Sequence, residues 1–358
     1  MEFDDLGPEV VMHVYDPSVG MRGVIVLDSL VRGPAKGGIR MSLSADEAEV
    51  RSLARAMTLK CALAKLPFGG GKSGILVDPS SLSSEEKQAY VRSFGRYLSM
   101  VAPDSYVAAP DMGMGSSEMR LLSEVAGFSS VTGKPVDAGG LSDRAGSTGF
   151  GVFVSVREWF ARRGESLAGK TVAVQGFGNV GSHAAKFLVD NGAVLVGVSD
   201  SSGAVIDEGG LDVDSLISFV SGGGRLADCS FGRSDSSDSV LFLDVDVLVP
   251  AAQAEVIGAD NYRRVQAGLI SEGANLPILP EFERALEERG VFVIPDVLAN
   301  AGGVIGSWVE HEGGSSDSVF GHIERIISGN VDSLLDCMSE RGCDSREAVE
   351  FLARSRIS

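Results

Sequence analysis

A glycine-rich hexapeptide, Gly176-Phe-Gly-Asn-Val-Gly181, constrains the fold of this 358-residue chain more than any other segment. It directly follows an apolar run at residues 171–175 that predicts a buried strand, and it opens a segment with helical spacing. An acid, Asp200, lies 24 residues after Gly176, at the end of the next predicted strand. Strand, glycine turn, helix and acid in this order predict a βαβ unit that binds a dinucleotide.

The chemistry of this unit explains the choice of residues. Glycines let the backbone approach a pyrophosphate, and the start of the helix supplies free N–H groups and the positive end of its dipole. The Asp200 carboxylate would accept hydrogen bonds from the ribose hydroxyls, which favours NAD over its 2′-phosphorylated form. The alternative is a tight strand–helix turn without a ligand, and the presence of all four parts disfavours it.

The rest of the C-terminal half alternates helices with apolar strands. Further strands are predicted at residues 194–199, 245–249, 268–271 and 291–294. Strands spaced by helices predict a parallel sheet covered on both faces. The N-terminal half mixes a strand at 22–28 with capped helices at 44–57 and 83–98, and a turn-rich segment at 132–140 predicts a hinge. The fold class is therefore α/β with two domains, divided at residues 139 and 140.

The composition indicates the cellular location of the protein and excludes some classes of binding partner. Lys+Arg number 31 and Asp+Glu 49, so the net charge is 31 − 49 = −18. Nucleic acid and anionic membrane surfaces repel such a chain. No apolar stretch reaches the ~20 residues of a membrane-spanning helix. The acidic start lacks the order of a signal peptide, and four scattered cysteines form no disulfide framework. We expect a cytoplasmic protein without nucleic-acid or membrane partners.

Lysines are few and clustered. The chain has 8 lysines and 23 arginines, and half of the lysines lie between Lys36 and Lys72. Such clustering is compatible with a need for amine groups in this segment. Chance clustering on a solvated helix face explains the counts equally well. Lys72 follows three glycines, but a phosphate-binding P-loop would need a glycine at position 66, which is leucine. What remains is a lysine in a glycine-rich turn, where an amine can meet a substrate; taken alone, this segment is better explained as a structural turn.

Other catalytic arrangements find no support in the sequence. The four histidines, His13, His183, His311 and His322, lie far apart in the chain. None of them sits in the spacing of a zinc site or in the pattern of a Ser/His/Asp hydrolase. The sequence therefore predicts no metal.

Seven motifs in order carry a resemblance to a known family. They lie at residues 33–40 (Gly-Pro-Ala-Lys-Gly-Gly-Ile-Arg), 57–62 (Met-Thr-Leu-Lys-Cys-Ala), 66–72 (Leu-Pro-Phe-Gly-Gly-Gly-Lys), 109–111 (Ala-Pro-Asp), 176–181, 271–275 (Ser-Glu-Gly-Ala-Asn) and 300–304 (Asn-Ala-Gly-Gly-Val). From about residue 32 to residue 307 the chain resembles the glutamate/leucine/phenylalanine/valine dehydrogenase family. In its site residues it is most similar to the glutamate dehydrogenases of that family.

The resemblance implies an architecture and an assembly. It implies a substrate-binding and oligomerisation domain over residues 1–139 and a Rossmann-type, doubly wound NAD(P)-binding domain over residues 140–340. It also implies that the last helix, at about 341–358, packs back on the first domain. A homo-oligomer, a hexamer, is the assembly expected from the resemblance.

The resemblance also implies roles for individual residues. The family's catalytic lysine matches Lys72, its proton-transfer aspartate matches Asp111, and Lys60 matches the lysine that binds the substrate α-carboxylate. An amine near another cation has a lowered pKa, so Lys72 beside Lys60 could activate water for attack on an iminium carbon. Asp111 would move the proton to and from the amino nitrogen. The cofactor residues implied are Thr148, Gly176, Gly178, Asn179, Val180, Gly181, Asp200 and Asn300.

Two further positions indicate the substrate. Lys36 and Ser307 match the residues that hold the side-chain carboxylate in glutamate dehydrogenases. An unpaired lysine beside an apolar side chain would be costly, so Lys36 favours a dicarboxylate; the alternative is that Lys36 points to solvent and Ser307 packs in a helix. We expect reversible oxidative deamination of L-glutamate to 2-oxoglutarate and ammonium, with NAD favoured and NADP left open. The alternatives are a leucine-, valine- or phenylalanine-type dehydrogenase and, more distantly, a nucleotide-binding protein without turnover.

Overall fold

The computed structural model describes residues 3–141 and 146–357, which form two compact units. Unit 1 comprises Met1–Arg144, Val304–Val319 and Ala353–Ser358, and unit 2 comprises Ala145–Gly303 and Phe320–Leu352. Residues 304–319, which the sequence analysis gave to the second domain, thus group with unit 1. The last predicted helix is divided, because only residues from 353 onward group with unit 1. No helix among the described residues is long and apolar enough to cross a membrane.

Unit 1 is built on a five-stranded mixed sheet. Its strands and first helices are β1 (Val10–Asp16), β2 (Met21–Ser29), β3 (Ala35–Ser42), α1 (Glu47–Leu63), β4 (Gly69–Leu76), α2 (Ser84–Leu98), β5 (Tyr106–Pro110) and α3 (Ser116–Ala126). The strand order is β1-β2-β4-β3-β5; β3 runs parallel to both of its neighbours, and β2 runs antiparallel to β1 and β4. One sheet face packs on α2 and α3 through an apolar core that includes Ile25, Ile39 and Phe94. Helix α1 covers the other face.

The glycine-rich segment around Lys72 is a central strand, so the prediction of a turn there is wrong. Residues 69–76 form β4, paired to β2 on one side and β3 on the other. The glycines serve close packing, since a Cβ at Gly70 would lie 2.1 Å from the Thr58 nitrogen of α1. Glycine normally weakens a strand, but here it lets a helix lie directly against the sheet.

Helix caps in unit 1 follow local sequence rules. Ser83 caps α2 and forms a reciprocal capping box with Glu86, which confirms the predicted start of that helix. Helix α1 begins later than predicted, with Asp46 rather than Ser44 as its N-cap, and it continues to Leu63. The extension places Lys60 in the last turn of α1.

Unit 2 contains a seven-stranded sheet of the expected doubly wound type. Its elements are α4 (Ser147–Arg162), β6 (Thr171–Gln175), α5 (Asn179–Asp190), β7 (Val194–Asp200), β8 (Gly203–Ile206), α6 (Val213–Ser221), β9 (Arg233–Asp235), β10 (Val247–Pro250), β11 (Leu269–Ser271), α7 (Pro280–Glu287), β12 (Phe292–Ile294) and α8 (Asp296–Ala299). The order is β12-β11-β10-β6-β7-β8-β9, and the five predicted strands are parallel as expected. Two short antiparallel strands, β8 and β9, extend the sheet beyond the prediction.

The sheet order of unit 2 creates a topological switch point. After β6 the chain first builds β7 on one side, then returns to build β10 on the other side of β6. Ligands of such sheets bind at the carboxyl ends of the strands, where the order reverses. The loop that follows β6 is the glycine hexapeptide.

Three helices after β12 each have residues in both units. They are α9 (Gly302–His311), α10 (Ser316–Arg341) and α11 (Ser345–Ser355). Arg346 of α11 is buried in unit 2 against three carboxylates. It contacts Glu283 Oε2 at 2.9 Å, Asp296 Oδ1 at 3.0 Å and Glu272 Oε2 at 3.3 Å. This cluster fixes the chain just beyond the ends of β11 and β12.

Candidate active site

An ion pair crosses β3 on the sheet face covered by α1. Lys72 lies on β4 and Asp111 immediately follows β5, and β3 lies between these strands. Lys72 Nζ nevertheless lies 2.7 Å from Asp111 Oδ2. The intervening residue on β3 is Gly38, where a Cβ would lie 2.8 Å from Asp111 Cβ and 3.3 Å from Lys72 Nζ. Only glycine at this position leaves room for the two side chains to meet.

Asp111 is held as a carboxylate despite its burial. Burial by itself would raise the pKa of Asp111, but the charges of Lys72 and Arg40 outweigh it and lower the pKa to about 2. Arg40 Nε lies 3.2 Å from the same oxygen, Oδ2, that Lys72 contacts. Asp111 is therefore ionised at neutral pH and able to accept a proton.

Lys60 places a positive charge at the C-terminal end of α1. Its side chain is buried in the last turn of α1. Burial raises the pKa of the neighbouring Cys61 thiol to about 12, and the charges of Lys36, Lys60 and Arg32 partly oppose that rise. These three cations thus lie within electrostatic reach of one buried sulfur atom.

Lys36 and Ser307 meet through a third residue that the sequence analysis missed. Lys36 is fully buried, and its Nζ donates to Thr132 Oγ1 at 2.6 Å and to the Ala108 carbonyl oxygen at 3.3 Å. Thr132 Oγ1 in turn lies 2.6 Å from Ser307 Oγ. The open alternative, a solvent-facing Lys36, is wrong. Thr132 lies in the segment predicted as a hinge. Its polar side chain was the only feature of the sequence that could have indicated a functional role.

A second buried ion pair adjoins Thr132 along the chain. Lys134 Nζ lies 3.5 Å from Glu310, and Glu310 accepts hydrogen bonds from the Gly133 N–H at 2.8 and 2.9 Å. The neighbouring His311 packs edge-on against Phe68 at 5.4 Å between ring centroids. Burial lowers the pKa of His311, and the nearby lysines lower it further. His311 is thus neutral at neutral pH.

Among the described residues, no cluster of His, Cys, Asp and Glu side chains is arranged to hold a metal ion.

In unit 2, the three glycines of the hexapeptide have three distinct environments. Gly176 has φ +93°, and a Cβ there would lie 2.6 Å from the Ala252 backbone. Gly181 lets α5 pack on the turn, since its Cβ would lie 1.9 Å from the Gly176 carbonyl oxygen. At Gly178, the N-cap of α5, a Cβ would meet no described atom within 4 Å. The backbone is open there, as the approach of a pyrophosphate requires.

The other predicted cofactor residues also lie in unit 2. Asn179 and Val180 are the first residues of α5, and a Cβ at Gly303 would lie 2.7 Å from Thr148 Oγ1. Asn300 is buried, and its Nδ2 donates to the Ala274 carbonyl oxygen at 2.9 Å and to Asn275 Oδ1 at 3.1 Å. Thr148 therefore lies beside the start of α9, and Asn300 ties α8 to the segment after β11.

Asp200 ends β7, but its carboxylate is partly engaged by the next turn. Oδ1 accepts hydrogen bonds from the Ser202 N–H at 2.7 Å, the Ser202 hydroxyl at 2.5 Å and the Gly203 N–H at 3.2 Å. Burial opposes ionisation of Asp200, yet these hydrogen bonds lower its pKa. Oδ2 has a weaker contact, 3.4 Å from the Leu226 nitrogen, and is the oxygen better able to accept a further hydrogen bond.

Two family profiles match successive parts of the chain. The family profile described as Glutamate/Leucine/Phenylalanine/Valine dehydrogenase matches residues 139–358. The profile described as Glu/Leu/Phe/Val dehydrogenase, dimerisation domain, matches residues 8–126.

Individual relatives match over most of the chain. The NAD-specific glutamate dehydrogenase of Staphylococcus aureus (strain COL) is 38% identical over 340 residues, which cover 91% of this chain and 82% of that protein. The NADP-specific glutamate dehydrogenase A1 of Halobacterium salinarum is 38% identical over 342 residues, with the same coverage of 91% and 82%. The hetero-hexameric glutamate dehydrogenase of Thermus thermophilus, in its Leu-bound form, superposes with a TM-score of 0.90 at 32% identity, covering 98% of this chain and 88% of that one.

Proposed function

Because this chain belongs to the glutamate/leucine/phenylalanine/valine dehydrogenase family, we propose that it converts L-glutamate reversibly to 2-oxoglutarate and ammonium with a nicotinamide cofactor. It is an NAD(P)-dependent glutamate dehydrogenase. The observation that carries this assignment is the buried group formed by Lys36, Thr132 and Ser307.

That group suits a carboxylate. One ammonium and two hydroxyls are hydrogen-bond donors that can converge on the two oxygens of a substrate side chain. An apolar side chain at the same place would offer these donors no hydrogen-bond acceptor. The affinity for such a substrate would therefore be lower than for one with a side-chain carboxylate. The donors thus favour glutamate over leucine, valine or phenylalanine.

Lys72, Asp111 and Lys60 supply the proposed chemistry. Lys60 binds the α-carboxylate. Asp111 accepts a proton from the substrate amino group before hydride transfer and returns it to the nitrogen that leaves as ammonia. Lys72 Nζ, uncharged once Asp111 is protonated, removes a proton from the water that attacks the iminium carbon; amination reverses these transfers. The 2.7 Å contact between Lys72 and Asp111 supports a shared role, since proton transfer requires groups within hydrogen-bond reach.

The residues present in unit 2 fit a dinucleotide. We propose that Gly176, Gly178, Asn179, Val180 and Gly181 hold the pyrophosphate at the start of α5. Thr148, Asn300 and Asp200 would complete the cofactor site. A bound nicotinamide cofactor would supply the hydride acceptor of the reaction. The ionised Asp200 favours NAD because a 2′-phosphate would bring a second negative charge beside it.

Assembly and location complete the proposal. A dimerisation-domain profile matches residues 8–126, and the Thermus thermophilus relative is a hetero-hexamer. We propose a homo-oligomer, a hexamer, for this chain. The four cysteines, all among the described residues, are free thiols, which supports a reducing, cytoplasmic environment.

Reductive amination tests the assignment directly. Ammonium is supplied with either 2-oxoglutarate or 4-methyl-2-oxopentanoate, and the consumption of NADH and of NADPH is followed separately. We expect kcat/KM to be at least about 100-fold higher for 2-oxoglutarate, the discrimination of a polar pocket against an apolar analogue. Preference for the branched oxoacid would overturn the substrate assignment. Absence of turnover with both oxoacids, despite measurable binding of NADH, would overturn the catalytic one.

A further inference from the structure

A row of alternating charges extends from α1 to the proposed catalytic pair. Glu49 Oε1 lies 2.6 Å from an Arg40 terminal nitrogen, Arg40 Nε lies 3.2 Å from Asp111 Oδ2, and Lys72 Nζ lies 2.7 Å from the same oxygen. Arg40 is largely buried, with its side chain 14% exposed. The function proposed above gives no role to Arg40 or Glu49.

Strand geometry explains why Arg40 reaches Asp111. Successive side chains of a strand alternate between faces, so Arg40 lies on the same face of β3 as Gly38, two residues earlier. Gly38 is the position over which Lys72 and Asp111 meet. Arg40 pairs in register with Gly74 of β4, so the adjacent strand presents no side chain beside it. The guanidinium is therefore free to extend along the face towards Asp111.

The groups around Asp111 come from every neighbouring element. Lys72 approaches from β4 and Arg40 from β3, and the Met112 N–H donates from the following turn. Burial raises the pKa of the Tyr106 phenol on β5, and the Asp111 charge adds a smaller rise. Glu49 of α1 contacts Arg40 and reaches Asp111 only indirectly, through the guanidinium. Both cations that contact Asp111 lie within 3.2 Å of the same oxygen, Oδ2.

We propose that Arg40 is a positioning residue that keeps the Asp111 carboxylate ionised and turned towards Lys72, with Glu49 holding the guanidinium in place. This inference rests on the proposed role of Asp111 in proton transfer. Arg40 lies four residues from Lys36 on β3, about 13 Å along the strand, so we expect its effect on the proton-transfer step rather than on substrate binding. Two charged donors on one oxygen also explain how a largely buried aspartate remains ionised.

The test compares pH profiles of oxidative deamination. Arg40→Gln removes the cation, and Arg40→Met with Glu49→Leu replaces the pair by apolar side chains, so that no unpaired Glu49 remains. For both variants we expect the acid limb of kcat/KM to move up by about one to three pH units, from about pH 2 to between about pH 3 and about pH 5. We also expect kcat at about pH 8 to fall about tenfold or more, while KM for glutamate changes less than about threefold. Arg40→Lys, which keeps the charge but not the planar fork, should restore part of kcat.

Controls separate this inference from the proposed function. Arg51→Gln breaks another ion pair of α1, 3.1 Å from Glu47, and should leave the pH profile unchanged. Asp111→Asn should abolish turnover. If Asp111→Asn is inactive but both Arg40 variants follow the wild-type profile and kcat, the inference about Arg40 is wrong and the proposed function stands. If Asp111→Asn retains full activity, the proposed role of Asp111 fails and the inference fails with it.

Discussion

Replacing Lys36 by methionine removes one buried ammonium and keeps an unbranched side chain of similar length. Nζ of Lys36 donates to Thr132 Oγ1 and to the Ala108 carbonyl oxygen. In the variant, Thr132 Oγ1 keeps its own contacts, 2.6 Å to Ser307 Oγ and 3.3 Å to the Ala108 oxygen. The pocket therefore retains polar partners for its remaining groups, and we expect the thermal midpoint to change by only a few degrees.

The expected loss of activity follows from the charge that is removed. Deleting one partner of a buried, hydrogen-bonded charge pair costs about 2–5 kcal/mol, because the other charge stays buried without compensation. At about 1.4 kcal/mol for each factor of ten, kcat/KM for 2-oxoglutarate should fall about 30-fold to about 4,000-fold. The value for 4-methyl-2-oxopentanoate should stay within about threefold or rise, since its side chain carries no charge to compensate.

The assay is the ratio of the two kcat/KM values, which cancels any loss of folded enzyme. Lys134→Met is the matched control, because Lys134 is also a buried lysine and belongs to a different ion pair, with Glu310. It should lower the thermal midpoint while leaving the ratio close to that of the wild type. A wild-type ratio in Lys36→Met would refute the assignment of Lys36 to the substrate side chain.

Three further changes test other parts of the structure. Gly178→Val should raise the Kd for NADH, followed by fluorescence titration, about tenfold or more with little effect on folding, because a Cβ there meets no described atom within 4 Å; unchanged binding would contradict the placement of the pyrophosphate. Gly38→Ala should reduce kcat about 100-fold or more, since its Cβ would lie 2.8 Å from Asp111 Cβ and 3.3 Å from Lys72 Nζ; wild-type turnover would show that the ion pair is not needed. Burial and two neighbouring carboxylates raise the pKa of Glu272 well above its ordinary value, so the native state retains a proton that the unfolded chain loses. The free energy of unfolding should therefore fall as pH rises between these two pKa values. Glu272→Gln, measured by urea unfolding across pH, should make that slope shallower, while Glu283 and Glu287, whose pKa values burial also raises, keep part of it; an unaltered slope would assign it to these other groups.

Local patterns were sufficient to predict the five parallel strands of unit 2. The strand at 171–175, the glycine turn and the following helix are encoded within a short segment, and so are the parallel strands that follow. The short antiparallel strands escaped prediction because their signals are weak. Strand β9 is Arg233-Ser-Asp235, which has no apolar residue, and it pairs only because β8 supplies an edge.

In unit 1, tertiary packing overrode local preference. The composition of β4 indicates a loop, and it is a central strand because α1 must lie close to the sheet. The role of Thr132 was not predicted for a related reason. Its hydroxyl contacts Lys36 and Ser307 only in the folded chain, where these residues come together. Those two were predicted from the family resemblance, and no spacing in the sequence could show that one threonine joins them.

The regular spacing of β3 fixes the distance between the two positions that we propose to contact the ends of the substrate. Lys36 and Gly38 are two residues apart on one strand, a rise of about 6–7 Å, and the strand is hydrogen-bonded on both sides, so this separation is fixed. In the function proposed above, one end would hold the side-chain carboxylate and the other would support the ion pair that handles the amino group. We therefore expect a dicarboxylic oxoacid one methylene shorter, such as oxaloacetate, to be a poorer substrate. Selection by chain length would then come from backbone geometry, and selection by charge from Lys36.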